Sequence, residues 1–197
     1  MKLSAIILAA GESRRMGEPK ALVQFGEHRF LETIINNFHD AGVDHRLVVL
    51  GHGAADIYES VKHLPAQFLE NPRYSLGQFS SLQAGVNALP LETDGAFLAL
   101  VDQPQISSGI ISAIKGQFIA NPQMIVIPTF NGRRGHPPIL PRAVLQKIAS
   151  APETETAATI IRRHPEQTLE FEVDSESILW NINTKDEVEE VCKRLGL

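Results

Sequence analysis

The residues of this chain best equipped for chemistry lie in one short span. The stretch LAAGESRRMGEPK, Leu8 to Lys20, follows at once on the apolar run LSAII and gathers two glycines, two arginines and a lysine. A strand that turns into a Gly-rich loop exposes backbone N–H groups that can grip phosphate oxygens. Gly11 and Gly17 let the backbone approach a ligand with no Cβ in the way. Arg15 offers phosphate a planar fork, and Lys20 offers a compact point charge. The stretch lacks the Gly-Lys-Ser/Thr ending of a P-loop and the G-x-G-x-x-G spacing of a dinucleotide fingerprint. It reads as a polyphosphate cradle of another kind, with a solvated basic turn as the plain alternative.

Elsewhere, oxygen donors and one histidine stand where they could complete such a site. In LALVDQPQIS, Asp102 falls just past the end of a buried apolar run, and α/β sheets collect their ligands at that edge. A carboxylate there suits Mg²⁺, and equally suits a turn or a helix cap. Asn71, Gly77 and Ser81 in ENPRYSLGQFSSLQAG read either as ligand contacts or as an Asx turn leading into a helix. His136 in NGRRGHPPIL could bind an anionic group or simply bond to backbone. Asn181 and Asn183 in LWNINTKDEVEE carry amide oxygens that can serve a hard cation or cap a helix. Cys192 is the one cysteine, which leaves no internal disulfide and no sulfur-rich metal site. The other histidines are scattered singly, without metal-ligand spacing.

These residues need elements to hold them. The runs AIILA (5–9), RLVVLG (46–51), QFLE (67–70), GAFLALV (95–101) and MIVIP (124–128) read as strands. Several are apolar on both faces, as in a parallel sheet covered by helices. Between them, residues 29–42, 54–64, 77–89 and 107–119 have helical spacing. The alternation predicts an α/β fold, a single three-layer α/β/α domain over 1–197 with a mostly parallel sheet. In the last third, RAVLQKIAS and TAATIIRRH read as helices and TLEFEVD as an exposed antiparallel strand. NTKDEVEEVCKRL closes as a helix with Thr184 as its N-cap.

Composition narrows the classes of function. The 197 residues are 43% hydrophobic and 21% charged, ordinary for a globular chain, and carry a formal net charge of −5. That balance argues against nucleic-acid binding, which needs a broad basic face. It also makes the local basic cluster informative, because that cluster must serve a local anion. No apolar run approaches membrane-spanning length. A secretory signal takes about 15–30 residues, more than the N-terminal apolar run offers, so that run reads as a buried strand. With a single cysteine, a reducing cytoplasm is the expected setting.

The N-terminal stretch resembles the signature LAAGxSxRMGxxK of the MobA-like NTP-transferase family, matched by Leu8, Ala9, Ala10, Gly11, Ser13, Arg15, Met16, Gly17 and Lys20. The resemblance implies a nucleotide-diphospho-sugar transferase-like, Rossmann-type fold. It implies that Leu8, Ala9, Ala10 and Gly11 bind the nucleotide, near base and ribose, while Arg15 and Lys20 hold the phosphates. ENPRYSLGQFSS is similar to the family's N-P-x-Y-x-x-G-x-x-x-S element, in which Asn71, Gly77 and Ser81 help to hold the nucleotide. Asp102 matches the metal-holding Asp of a D-x-P element. Gly135 and His136 match the G-x-x-G-H-P segment of the molybdopterin cytidylyltransferase branch, where they face the second substrate. LWNINTKDEVEE resembles a closing D-I-D-T-P-x-D segment with Asn at both Asp positions. Asn183 falls at the second metal ligand and, bringing no charge, implies weaker metal binding.

The implied reaction is Mg²⁺-dependent nucleotidyl transfer, with Arg15, Lys20 and Asp102 carrying catalysis. A phosphate oxygen of the acceptor attacks the α-phosphorus of a nucleoside triphosphate, and pyrophosphate leaves. Such chemistry rests on positioning and charge neutralisation and needs no protein nucleophile. The guanylyltransferase branch reads LAGG where this chain reads LAAG. Together with the GHP segment, the extra methyl of Ala10 points to CTP and molybdopterin. GTP or ATP, or another acceptor such as a sugar phosphate, are the alternatives within this chemistry. A non-catalytic nucleotide-binding chaperone is the alternative outside it. A molybdoenzyme or its chaperone is the implied protein partner.

Overall fold

The computed structural model describes residues 1–197. Its layers follow from where the apolar residues sit. β1 (Leu3–Ala9) is buried at every position, so both of its faces must be covered. Leu3, Ala5, Ile7 and Ala9 enter one hydrophobic cluster, and Ile6 and Leu8 enter another, as the two-residue period of a strand dictates. Helices α1 (Phe30–Asp40), α2 (Ala54–Val61) and α4 (Ser108–Ala120) cover the first face. The second is covered by α3 (Gln78–Asn87), α5 (Arg142–Ser150) and α6 (Ala157–Arg162). In α1 the spacing of Leu31, Ile34, Ile35 and Phe38 makes the buried stripe.

The sheet adds β4 (His45–Leu50), β5 (Gln67–Glu70), β6 (Gly95–Leu100), β7 (Ile125–Phe130), β9 (Ile139–Pro141) and β10 (Thr168–Glu172). Their order is β10-β7-β9-β6-β1-β4-β5, with β8 (Arg133–Arg134) paired to β7 alone. β1 pairs in parallel with β4 from Ser4↔His45 to Ala9↔Leu50, and with β6 from Leu3↔Gly95 to Leu8↔Leu100. The expected three-layer, mostly parallel α/β fold is the one observed. Chain order reverses beside β1, which opens a crevice at the carboxyl ends of β1 and β6.

One expectation is corrected. The TLEFEVD segment becomes β10, which pairs with β7 in parallel, from Thr168↔Ile125 to Glu172↔Thr129. Alternation reports which face of a strand is buried and carries no direction. Direction is set by the connection: a parallel pair needs a crossover of about a dozen residues or more, and α5 and α6 supply it. The antiparallel element lies earlier, in β8 and in β9, which runs against both β6 and β7.

A small third cluster ties the two ends of the chain together. β2 (Gln24–Phe25) and β3 (His28–Arg29) form a two-stranded hairpin. Beside it Met16, Val23, Phe25 and Phe30 pack with Ile182 and with Val191 of α7 (Lys185–Leu195). Met16, only 1% exposed, thus anchors the Gly-rich loop to the C-terminal segment. No helix is long and apolar enough to cross a membrane.

Candidate active site

A cavity of about 420 Å³ lies at the carboxyl ends of β1 and β6. Leu8 and Leu100 form its apolar base, and Ala10, Gly11 and Asp102 follow where the two strands end. Val101 N donates to the Leu8 carbonyl at 3.1 Å, which continues the β1–β6 pairing to the rim of the site.

On the β6 side, groups from three parts of the chain converge. Lys20 Nζ donates to Asp102 Oδ2 at 3.1 Å and to Asn183 Oδ1 at 2.9 Å. Arg15 Nη2 donates to the same Asn183 oxygen at 2.9 Å. The side chains of Lys20 and Asp102 are 13% and 22% exposed, so each shields the other from an unpaired, part-buried charge. The loop is held from within: Ser13, at φ 52, accepts from Lys20 N through Oγ at 3.1 Å and from Met16 N through its carbonyl at 2.9 Å. Asn183 is held by its own element. Glu187 Oε2 accepts from Asn183 N at 2.6 Å and from Thr184 N at 3.1 Å, while Thr184 Oγ1 caps α7 by accepting from Glu187 N. The predicted Thr184 cap is present, and its capping box also fixes the site residue before it. Arg14 also lines the cavity, but its side chain is 83% exposed and pairs with Glu12. That hydrogen bond holds the Glu12 carboxyl below the usual carboxylate range.

The β4 side is built by packing. A Cβ on Gly51 would come within 2.6 Å of Tyr74 Cβ and 2.8 Å of Ala10 Cβ, so Tyr74 and Ala10 close in over bare backbone. Gly77 at φ 104 turns the chain into α3 with no side-chain cap, which leaves the first N–H groups of that helix free to meet an anion. Gly77, Gln78 and Ser81 line the cavity from α3. Asn71 lies behind them, 4% exposed, outside the lining. Its Nδ2 donates to Ser80 Oγ and Ser81 Oγ at 3.1 and 3.0 Å, and its Oδ1 accepts from Arg73 N at 3.0 Å. It is the Asx turn leading into α3 that its spacing allowed.

Nine of the sequence-predicted residues thus line one cavity: Leu8, Ala10, Gly11, Arg15, Lys20, Gly77, Ser81, Asp102 and Asn183. Ala9 faces the opposite layer in the core. Gly135 and His136 are outside the lining. Gly135 is packed so tightly that a Cβ would sit 2.6 Å from the Ile178 carbonyl. His136 N donates to that carbonyl at 3.0 Å. Its ring is deeply set, with Nδ1 buried and unpartnered. Burial pushes its pKa below the usual imidazole value, against weaker upward pulls from the Leu98 carbonyl and Asp102. The sequence reading missed Tyr74, Ser75 and Gln78. Tyr74 had a signal, as the Tyr of the N-P-x-Y-x-x-G element, whereas Ser75 and Gln78 had only the bracketing or adjoining Asn71 and Gly77.

The profile of the MobA-like NTP transferase domain matches residues 5–168. The chain belongs to the MobA-like NTP transferase family. This MobA-like chain is a nucleotidyltransferase. The matched span contains the Gly-rich loop, Asp102 and His136, whereas Asn183 lies beyond it. A probable molybdenum cofactor guanylyltransferase of Bacillus cytotoxicus is 31% identical over 211 residues, covering 98% of each chain. The molybdenum cofactor cytidylyltransferase of Escherichia coli is 25% identical, covering 94% of this chain and 93% of its own. Among solved structures, Rv0371c of Mycobacterium tuberculosis superposes with a TM-score of 0.83 at 23% identity, covering 98% of each chain. A manganese complex of the same protein superposes at 0.81 with 20% identity.

Proposed function

We propose that this nucleotidyltransferase moves CMP from CTP to the phosphate of molybdopterin, in the cytoplasm, with Mg²⁺ as its metal. The observation that carries the reading is the meeting of Lys20, Arg15, Asp102 and Asn183 at the strand ends. Two cations for phosphate and two oxygen donors for a metal share one cavity. Asp102 and Asn183 would hold the metal. They fit it, because both side-chain oxygens already converge on one cation, the Lys20 ammonium. No group of three or more His, Cys, Asp or Glu side chains stands ready to enclose a metal. That suits Mg²⁺, which takes one or two protein ligands and completes its shell with phosphate oxygens and water. When bound, the metal supplies charge neutralisation to the triphosphate.

The chain's own residues do the remainder. Lys20 and Arg15 pair with phosphate oxygens and stabilise the charge that grows on departing pyrophosphate as its bond to the α-phosphorus breaks. Gly77 and the free N–H groups of α3 offer further donors to an anion. Leu8, Ala10, Gly11 and Ser81 contact the nucleotide, with Asn71 holding Ser81 and the Gly77 turn in place. Gly135 and His136 support the acceptor side from behind the cavity, where the His136 Nδ1 is buried, and Gly135 lets its neighbour pack against Ile178. The Ala10 methyl beside Tyr74 favours the smaller pyrimidine. The Escherichia coli relative supports that choice, and the Bacillus cytotoxicus relative supports GTP instead. The manganese in a structural neighbour supports a divalent metal.

The test is pyrophosphate release by purified protein with Mg²⁺ and molybdopterin. CTP is expected to react faster than GTP or ATP. Faster reaction with GTP replaces the nucleotide and leaves the chemistry. No reaction with any triphosphate, or reaction only with a sugar phosphate, removes the molybdopterin reading.

A further inference from the structure

The loop that follows Asp102 holds two buried glutamines with no part in the cavity. Gln103 and Gln105 flank Pro104 and are 4% and 6% exposed. Fixing long amides in the interior costs rotamer freedom and desolvation, so two in one loop need a reason. Their donors all point the same way. Gln103 Nε2 donates to Asn181 Oδ1 at 3.0 Å and to the Trp180 carbonyl at 3.3 Å. Gln105 Nε2 donates to the Trp180 carbonyl at 2.8 Å and to the Ser177 carbonyl at 3.0 Å. These carbonyls stand in and just after the 3-10 turn Glu176–Leu179, where Ser177 O already accepts from Trp180 N at 3.2 Å and the Trp180 carbonyl follows the last turn residue. Ile182 N donates to the Asp102 carbonyl at 2.9 Å and fastens the next residue to the same loop.

The fastening reaches the site through one more bond. Asn183 Nδ2 donates to the Asn181 carbonyl at 3.1 Å, which turns Asn183 Oδ1 toward Lys20 and Arg15. A carboxylate in that place would be drawn to a cation by its charge. A neutral amide has only its dipole, so its neighbours must hold it where the cation will be. We propose that Gln103 and Gln105 are positioning residues that deliver the Asn183 amide oxygen to the cation site beside Asp102, and so set the affinity for the metal. The inference rests on the reading of Asp102 and Asn183 as metal ligands.

The experiment is a Mn²⁺ titration followed by electron paramagnetic resonance, with CTP in one arm and GTP in the other, and no acceptor, so that nothing turns over. Two variants cut the same bond from its two ends: Gln103→Leu, which keeps the bulk, and Asn181→Ala, at an exposed position. Each is expected to weaken Mn²⁺ binding about ten- to a hundredfold, the range of residues that orient a metal ligand. Triphosphate binding in EDTA stays unchanged, as does kcat at saturating metal. Asn183→Ala reproduces the loss, and adding Gln103→Leu to it weakens binding no further. Unchanged Mn²⁺ binding in either variant, or losses that add to that of Asn183→Ala, overturn the inference. Should Gln103→Leu fail to fold, Asn181→Ala decides alone. A native protein that binds no Mn²⁺ with either triphosphate overturns the metal reading and this inference with it. Native binding matched by both variants overturns the positioning role only.

Discussion

On the β6 side of the cavity, Arg15, Lys20, Asp102 and Asn183 are joined by hydrogen bonds of 2.9 to 3.1 Å. On the β4 side, Ala10 and Tyr74 both pack over the bare backbone of Gly51, leaving no room there for a Cβ. The first arrangement is specific to charge and geometry, and each member depends on the others being ionised or correctly turned. The second is specific to volume, and a methyl more or less changes what fits. In the proposed reaction, the first wall governs whether phosphate chemistry occurs, and the second governs which nucleotide undergoes it.

The harshest way to break that contrast is at Lys20. Lys20→Ala removes the proposed phosphate partner and leaves Asp102 part-buried without its cation. A fall in kcat/KM of about 10²- to 10³-fold is expected, with the CTP-to-GTP preference unmoved. Steady-state kinetics with both triphosphates measure it, and a changed preference would show that the two walls are not separate. Ala10→Gly tests the other wall. It is expected to shift the ratio of kcat/KM for CTP and GTP toward GTP by about tenfold, the worth of a methyl in a tight pocket. The rate with the better nucleotide changes little.

Asn183→Asp sharpens the contrast by adding charge to the β6 wall. The Mg²⁺ concentration at half-maximal rate is expected to fall several-fold, because a charged ligand binds a hard cation more tightly than an amide. An unchanged value would mean that Asn183 does not touch the metal.

The smallest effect belongs to His136. Burial holds its pKa below the ordinary 6.5, so the folded chain keeps the ring neutral while the unfolded chain takes up a proton. Stability from this group is complete above that value and is lost as pH falls toward the folded pKa. The native Tm is expected to drop over this window, and His136→Gln to flatten the dependence. Thermal melts at stepped pH check both.

Much of this was legible before any coordinates. Buried runs alternating with helical spacing fix the layers, because burial on two faces and a 3.6-residue period are properties of adjacent residues. The Gly-rich loop is equally local: its turn and its cations lie within residues 8–20. Asn71 and Gly135 show the boundary. Both sit in recognisable motifs, yet Asn71 serves a turn behind the cavity and Gly135 serves close packing. A motif specifies residue types, and the same type serves a ligand or a neighbour depending on what lies opposite.

By itself the sequence determined β1, β4, β5, β6, β7 and β10, the helices and the Thr184 cap, and it missed β9, which runs inside the sheet between β6 and β7. Only the tertiary structure decided that β10 runs parallel to β7, and that Asn183 meets a lysine 163 positions away. It also decided that two buried glutamines hold the segment between them and the cavity. The physical reason is range. Periodicity and turn chemistry act between near neighbours, whereas strand direction and the meeting of distant side chains depend on crossovers and on packing such as that of Met16 with Ile182 and Val191.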